Sequence, residues 1–145
     1  MFKTLVTLGA LALSTTIAFA DVKANKKTAE AALDDVFVKL DASKIDTYFA
    51  EPYIQHNPVA KSGLEALHGL VDYAKAGPGF RLKTVRVIGE GDLVAMHNIW
   101  TGFGPGDMIA FDVFRFNEDG KIVKHGDVIA DIQTDKLPEG YPGKF

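Results

Sequence analysis

Two carboxylates and one imidazole, Asp112, His125 and Asp127, are the side chains of this sequence best suited to proton transfer. They lie on two predicted strands of one β-hairpin, and alternation along each strand places them on one face with Phe114 and Phe116. Burial among aromatic rings disfavours the charged form of a carboxyl group, and a neighbouring imidazole can fix the position of its proton. This combination predicts proton abstraction next to a carbonyl, the step common to aldol, isomerase and dehydratase reactions.

Two simpler explanations of the same residues stay open. If the face is exposed to water, the polar side chains are ordinary surface residues. If it is buried, Asp112 and a histidine can form an ion pair that only tethers the hairpin. Phe114 and Phe116 favour burial, because large aromatic side chains are usually found inside proteins.

The hairpin is predicted from its turn, because Asp119-Gly120 readily supplies the positive φ that a tight connection needs. The turn separates a strand at Met108–Phe116 from a return strand at Lys121–Ile132. Alternation along the return strand is expected to place Val123 on the same face as His125.

The opposite face of the hairpin carries four apolar side chains. So much apolar surface predicts that two copies of the chain form a homodimer through it. The four are Phe111, Val113, Ile122 and Val128.

His97 extends the candidate site if the two preceding strands pair in the expected register. With Thr101 and Met108 as partners across a Gly-rich loop, His97 faces Asp112 on the same side of the sheet. A slip of one residue would reverse this arrangement. Asp112 is therefore predicted as the proton-transfer group, with His97 and His125 orienting it or binding the substrate oxygen. Phe114, Phe116 and Asp127, on the same face of the hairpin, are predicted to bind the ligand.

His56 and Asn57 are predicted as ligand-binding residues that reach over the mouth of a pocket. They precede Pro58 in an irregular segment, Glu51–Ala60, which prolines interrupt. The spacing of His56, His97 and His125 matches no compact metal-ligand motif, so no metal is expected. No Gly-rich phosphate loop follows a strand, and no cofactor is predicted.

The remaining elements are three helices before the hairpin and two strands. Apolar residues at helical spacing and the capping box Ser62/Glu65 predict the helices, which end before the sheet begins. The order predicts an α+β fold, in which a curved antiparallel sheet forms a cone and the helices close a cavity on its concave side. The helices are predicted at Thr28–Leu40, Ser43–Phe49 and Ser62–Ala76, and the strands at Arg81–Ile88 and Leu93–Thr101.

Composition limits the classes of partner. The chain has 145 residues, a length typical of one domain, and it contains no cysteine, which excludes disulfides and thiolate chemistry. Its formal net charge is −3, and no basic cluster appears, which argues against nucleic acid. The predicted partner is instead a small apolar ligand or substrate.

The first twenty residues have the pattern of a secretory signal. Lys3 gives a positive start, Thr4–Ile17 is apolar, and Ala18-Phe19-Ala20 is a small-residue cleavage site. The apolar run is too short for a comfortable transmembrane helix. A domain at residues 21–145, periplasmic or secreted and not held at the membrane after cleavage, is therefore expected.

Two motifs resemble the SnoaL-like polyketide cyclase family of the nuclear transport factor 2-like superfamily. They are YIQHNP at Tyr53–Pro58 and FDVFRFNEDGKIVKHGDV at Phe111–Val128. The resemblance implies a cone-shaped α+β fold, frequent homodimers and acid/base activity of the aldol type, although some members only bind ligands. Gly126 stands where the family has Trp, and Ala130 where Gln is common.

Three hypotheses follow for function. The first is a small exported acid/base enzyme that needs no cofactor, with Asp112 as its proton-transfer group. The second is a non-catalytic module that binds a small hydrophobic ligand in the same cavity. The third is a dimeric structural partner with a vestigial pocket.

Overall fold

A computed structural model describes residues 21–77, 80–102, 106–132 and 138–141. The predicted signal segment at 1–20 lies outside the described residues. Within them, no helix combines the length and the apolar character needed to cross a membrane.

A five-stranded sheet with helices packed against it confirms the predicted α+β fold. The strand order across the sheet is β1-β5-β4-β3-β2, and β2 to β5 form an antiparallel meander. The strands span β1 Phe49–Gln55, β2 Arg81–Glu90, β3 Leu93–Thr101, β4 Met108–Phe116 and β5 Ile122–Asp131.

Strand β1 corrects two expectations, because a helix through Phe49 and an irregular segment from Glu51 were predicted there. It runs parallel to β5 and pairs Gln55 with His125, so the sheet is not wholly antiparallel. The prolines hid this strand from sequence analysis. Pro52 is tolerated because β1 is an edge strand, where a missing N–H need not break a ladder.

The helices are α1 Val22–Ala32, α2 Ile45–Tyr48 and α3 Leu64–Ala76. Helix α1 begins earlier than predicted, because the Asp21 carboxylate accepts hydrogen bonds from the backbone N–H groups of Lys23 and Ala24. A π-helical turn, Leu33–Val38, continues it. Because β1 lies between α2 and α3, the predicted order of three helices followed by strands was wrong.

Helix α3 is capped from a distant part of the chain and not by the predicted box. The Glu51 carboxylate accepts from the backbone N–H groups of Leu64 and Tyr53, both at 2.8 Å. These hydrogen bonds lower the pKa of Glu51. Ser62 instead accepts from the backbone N–H of Gln55 at 3.0 Å, which ties the start of α3 to β1.

A β-bulge in the hairpin changes which residues face the core. The β4–β5 register pairs Asp112 with Asp127 and Phe114 with His125, then shifts so that Phe116 pairs with Ile122. Ile122 was predicted on the outer face, and this was wrong. The bulge turns its side chain inward, where it is fully buried. The prediction assumed that side chains alternate without interruption along the whole strand, and the bulge interrupts this alternation.

The hydrophobic core lies between the helices and the inner face of the sheet. Helix α3 contributes residues that recur at helical spacing on its buried face. The largest fully buried apolar side chains are Ile45, Met96, Ile122, Val36, Val71 and Val94.

Candidate active site

A cavity of about 160 Å³ lies at the inner face of the sheet, and its walls are mostly apolar. Aromatic side chains from the helices and the strands form much of the wall, and polar groups of β1, β4 and β5 meet at one end. The aromatic residues are Phe37, Phe49, Tyr53, Phe80, Trp100 and Phe114, and the polar ones are Gln55, Asn57, Asp112, His125 and Asp127.

The buried Asp112 and the partly buried His125 form a pair at this polar end. Asp112 is 2% exposed, and its Oδ1 atom lies 3.1 Å from His125 Nε2. Its Oδ2 atom accepts a hydrogen bond from Asn98 Nδ2 at 2.5 Å. The His125 ring stacks on Phe114 with 4.9 Å between centroids, so the predicted meeting of Asp112, His125 and Phe114 is observed.

Gln55 holds a proton on the Nδ1 atom of His125. Gln55 Oε1 accepts from the backbone N–H of Asn57 and lies 3.0 Å from His125 Nδ1, while Gln55 Nε2 donates to the Tyr53 hydroxyl. Because Oε1 can only accept, Nδ1 must donate to it. The Nε2···Oδ1 contact with Asp112 then requires one further proton, held as imidazolium with carboxylate or as imidazole with carboxylic acid.

Asp127 is the second carboxylate of the polar end, and its partner is an uncharged amide. Both Asp127 oxygens lie 2.8 Å from Asn57 Nδ2. Asn57 Oδ1 accepts from the backbone N–H of Val59, which fixes the amide orientation. The two predicted ligand-binding residues Asn57 and Asp127 therefore face the same cavity.

Tyr53 supplies a hydroxyl that sequence analysis did not select. Its side chain is buried, and burial raises the pKa of Tyr53, as do the nearby charges of Asp127 and Asp112. The hydroxyl oxygen accepts from Gln55 Nε2 at 3.4 Å. Among the described residues, no hydrogen bond uses the hydroxyl hydrogen, which leaves it available to a ligand.

His97 does not face Asp112, and this prediction was wrong. The β3–β4 register pairs Trp100 with Met108, one residue away from the assumed pairing, so Asp112 is opposite Met96 and His97 is opposite Phe111. His97 lies on the other face of the sheet, buried and stacked on Phe111 at 4.5 Å between centroids. Burial lowers the pKa of His97, and the charge of Arg86 lowers it further.

Two predicted ligand-binding residues also lie away from the cavity. His56 is exposed, and its Cβ atom lies 3.4 Å from where a Cβ would stand on Gly126. Phe116 is buried in the core but does not line the cavity. The end of β1 carries His56 to the outer side, and the bulge carries Phe116 toward Ile122.

Three residues of the site were missed, Tyr53, Gln55 and Asn98, and one signal could have found the first two. Tyr53, Gln55 and Asn57 alternate along the chain, which is the period of a strand facing the cavity. Flanking prolines concealed it. Asn98 was missed because its place on the same face as Asp112 depends on the exact register between β3 and β4.

Asp112, His125 and Asp127 could also offer ligand atoms to a metal ion. One such atom from each lies within 4.8 Å of the others. An ion there would displace the proton between His125 and Asp112, because a ligating imidazole nitrogen carries none.

A family model named SnoaL-like domain matches residues 29–125, most of the folded chain. The chain belongs to the SnoaL-like family. The match confirms the resemblance seen in the two sequence motifs. No curated protein shows a significant sequence match to the chain.

Solved structures share the fold of this family member at low sequence identity. An LEH-like epoxide hydrolase from M. tuberculosis is 18% identical with a TM-score of 0.64, covering 77% of this chain and 86% of its own. A proposed polyketide cyclase from Bacillus cereus is 18% identical with a TM-score of 0.63, covering 73% and 74%. A proposed ketosteroid isomerase from Kribbella flavida is 13% identical with a TM-score of 0.64, covering 86% and 91%. The fold is therefore shared by proteins with different named activities.

Proposed function

We propose that this SnoaL-like protein is a cofactor-independent acid/base enzyme acting on a small apolar carbonyl compound, by aldol, isomerase or dehydratase chemistry. The observation that carries the proposal is the Asp112–His125 pair. It is a buried carboxylate with an imidazole 3.1 Å away, at the polar end of an otherwise apolar cavity. Such a pair can exchange a proton with a bound substrate at little cost in reorganisation.

In the proposed step, Asp112 accepts the proton from the carbon next to the substrate carbonyl. The electron pair of the broken C–H bond moves into an enolate. The Tyr53 hydroxyl donates to the enolate oxygen, where negative charge develops, and the positive charge of the His125 imidazolium, held by Gln55 and Asp112, stabilises it. Asp112 then returns its proton to another carbon or to a leaving hydroxyl, which restores the pair.

The neighbouring residues support this assignment by fixing geometry. Asn98 donates to Asp112 Oδ2, and Gln55 accepts from His125 Nδ1. These two hydrogen bonds keep the side chains of Asp112 and His125 from rotating. The epoxide hydrolase, cyclase and isomerase named among the similar structures show that the fold accommodates several reaction types.

The second candidate is a binding module for a small hydrophobic ligand. One observation favours it: both Asp112 oxygens and both His125 ring nitrogens already have partners within the protein. A site built only for binding would keep its polar groups satisfied in this way.

Exchange of hydrogen for deuterium next to a carbonyl separates the two candidates. Cyclohexanone in D₂O, followed by proton NMR, should lose its α-hydrogens faster with the wild-type protein than in buffer. Asp112→Asn keeps the side-chain shape and should lower this rate by about 10²-fold or more. Asp72→Asn, which removes the same charge from the exposed side of α3, is the control.

The outcomes have distinct meanings. Binding of cyclohexanone without accelerated exchange by the wild type would favour the binding module. Unchanged exchange in a folded Asp112→Asn protein would remove Asp112 from the mechanism and leave His125 or Asp127 as the proton-transfer group.

We also propose that the mature chain begins at Asp21 after export to the periplasm or the medium, and that it acts as a homodimer. The apolar residues Phe111, Val113 and Val128, which are 43%, 39% and 74% exposed on the outer face of the sheet, support the dimer.

A further inference from the structure

The polar end of the cavity holds one negative charge that no positively charged side chain balances. His125 Nδ1 donates to Gln55 Oε1, so the contact of His125 Nε2 with Asp112 Oδ1 must contain a proton. The pair then has no net charge, whether it is imidazolium with carboxylate or imidazole with carboxylic acid. Any charge left at this end of the cavity belongs to Asp127.

Asp127 has an uncharged partner. Both of its oxygens accept from one amide nitrogen, Asn57 Nδ2. In the described parts of the chain, no Lys or Arg forms an ion pair with Asp127, and none lines the cavity. A carboxylate oxygen has several acceptor positions, so Asp127 can still accept from a ligand.

The rest of the cavity suits an organic cation. Its volume of about 160 Å³ is close to that of an engineered apolar cavity, about 150 Å³, that binds benzene. Aromatic rings of Phe37, Phe114 and Trp100 line it, and the faces of such rings attract cations. An apolar body with one positive charge would therefore fill the space and balance Asp127.

We propose that the cavity selects small apolar compounds carrying one ammonium group, and that Asp127 anchors this group. The inference deepens the proposed function, since it names the substrate class of the same cavity. It gives the ligand a fixed orientation: the ammonium group lies at Asp127 and Asn57, and the reacting carbon lies toward Asp112 and Tyr53.

An organic cation fits better than a metal ion. Asp112, His125 and Asp127 could supply three ligand atoms, but the ion would have to displace the proton between His125 and Asp112. A bare ion would also leave the apolar part of the cavity unfilled. An ammonium group needs neither change, because Asp127 alone accepts from it.

Three compounds with the same benzyl group test the proposal by isothermal titration calorimetry near neutral pH. They differ in charge and in the ability to donate a hydrogen bond. Benzylamine is a cation, benzyl alcohol is a neutral donor, and toluene has no polar group. Benzylamine should bind the wild type at least about 10-fold more tightly than benzyl alcohol, in line with a charge-assisted hydrogen bond. Asp127→Asn keeps the side-chain shape and should abolish this preference while toluene affinity is retained.

The control is Asp72→Asn on the exposed side of α3, which should keep the preference because it changes only the net charge. The proposal is overturned if benzylamine binds no tighter than benzyl alcohol, if none of the three compounds binds, or if a folded Asp127→Asn protein keeps the preference. If Asp127→Asn does not fold, the relative affinities of the wild type for benzylamine and benzyl alcohol still test the proposal. Binding of Zn²⁺ that excludes benzylamine would replace the proposal with a metal site.

Failure of this proposal is distinguishable from failure of the proposed function, because the titrations need no turnover. A benzylamine preference without exchange of either cyclohexanone or 4-aminocyclohexanone, a ketone that carries the ammonium group, would contradict the enzyme alone. Exchange without the preference would contradict the ammonium site alone.

Discussion

Gln55 Oε1 lies 3.0 Å from His125 Nδ1, and the two residues are partners in the parallel pairing of β1 with β5. Because a backbone N–H donates to the same oxygen, the Gln55 side chain is held as an acceptor. The edge strand that prolines conceal in the sequence thus determines where the protons of His125 lie. The pairing of β1 with β5 therefore affects the protonation of a residue in the candidate active site.

Replacing Gln55 should change the protonation of His125. Gln55→Leu removes the acceptor, so the Nδ1 proton loses its partner and the ring is no longer held toward Asp112. We expect ¹⁵N NMR of His125 to show a protonated Nδ1 in the wild type and mixed protonation in Gln55→Leu, with cyclohexanone exchange lowered by about 10-fold. Gln55→Glu keeps an acceptor and should retain the Nδ1 proton. Identical His125 spectra in wild type and Gln55→Leu would contradict this role.

His97 should make the fold less stable in mild acid. Burial lowers the pKa of His97, so the unfolded chain, with an ordinary histidine pKa of about 6.5, takes up the proton first. The contribution of His97 to stability is therefore complete above about pH 6.5 and is lost as pH falls toward the folded-state pKa. His97→Phe cannot titrate, so its free energy of unfolding should fall less than that of the wild type between about pH 7.5 and 5.5.

The exposed His68 on α3 provides the comparison for this measurement. Urea denaturation of His68→Gln should show the same pH dependence as the wild type. An equal loss of stability in His97→Phe and in the wild type would show that protonation of His97 is not linked to unfolding.

A charge on the outer face of the sheet should separate the proposed homodimer. Val128 is 74% exposed and pairs with Phe111 on the outer face. Val128→Glu would place a carboxylate within the proposed apolar interface, so light scattering at micromolar concentration should give a dimer mass for the wild type and a monomer mass for the variant. Val59→Glu, exposed at the cavity wall, should remain dimeric. A monomeric wild type would contradict the dimer.

Export should leave a mature chain that begins at Asp21. The positive start, the apolar run and the Ala18-Phe19-Ala20 site stand in the order that signal processing requires. Intact-mass measurement of protein from the native envelope fraction or the medium should give the mass of residues 21–145. Replacing Ala18 and Ala20 with Arg should block cleavage, whereas recovery of the unaltered full-length chain from the wild type would exclude processing at this position.

Local sequence patterns were sufficient to identify the face of the hairpin that carries the candidate site residues. Asp112, Phe114, His125 and Asp127 share the cavity face because alternation along a strand is a local property, and Asp119-Gly120 defines the turn between them. The α+β class followed in the same way from helical and strand periodicities. These patterns repeat every few residues, so neighbouring side chains suffice to reveal them.

Contacts between distant segments of the chain determine which further residues complete the site. A one-residue difference in the β3–β4 register replaced His97 with Asn98 as the partner of Asp112, because side chains of a strand change face at every step. Strand β1 became visible only where β5 supplied its hydrogen-bonding partner, and it brought Gln55 to His125. Register and edge pairing depend on contacts between segments far apart in the chain, which local sequence patterns do not encode.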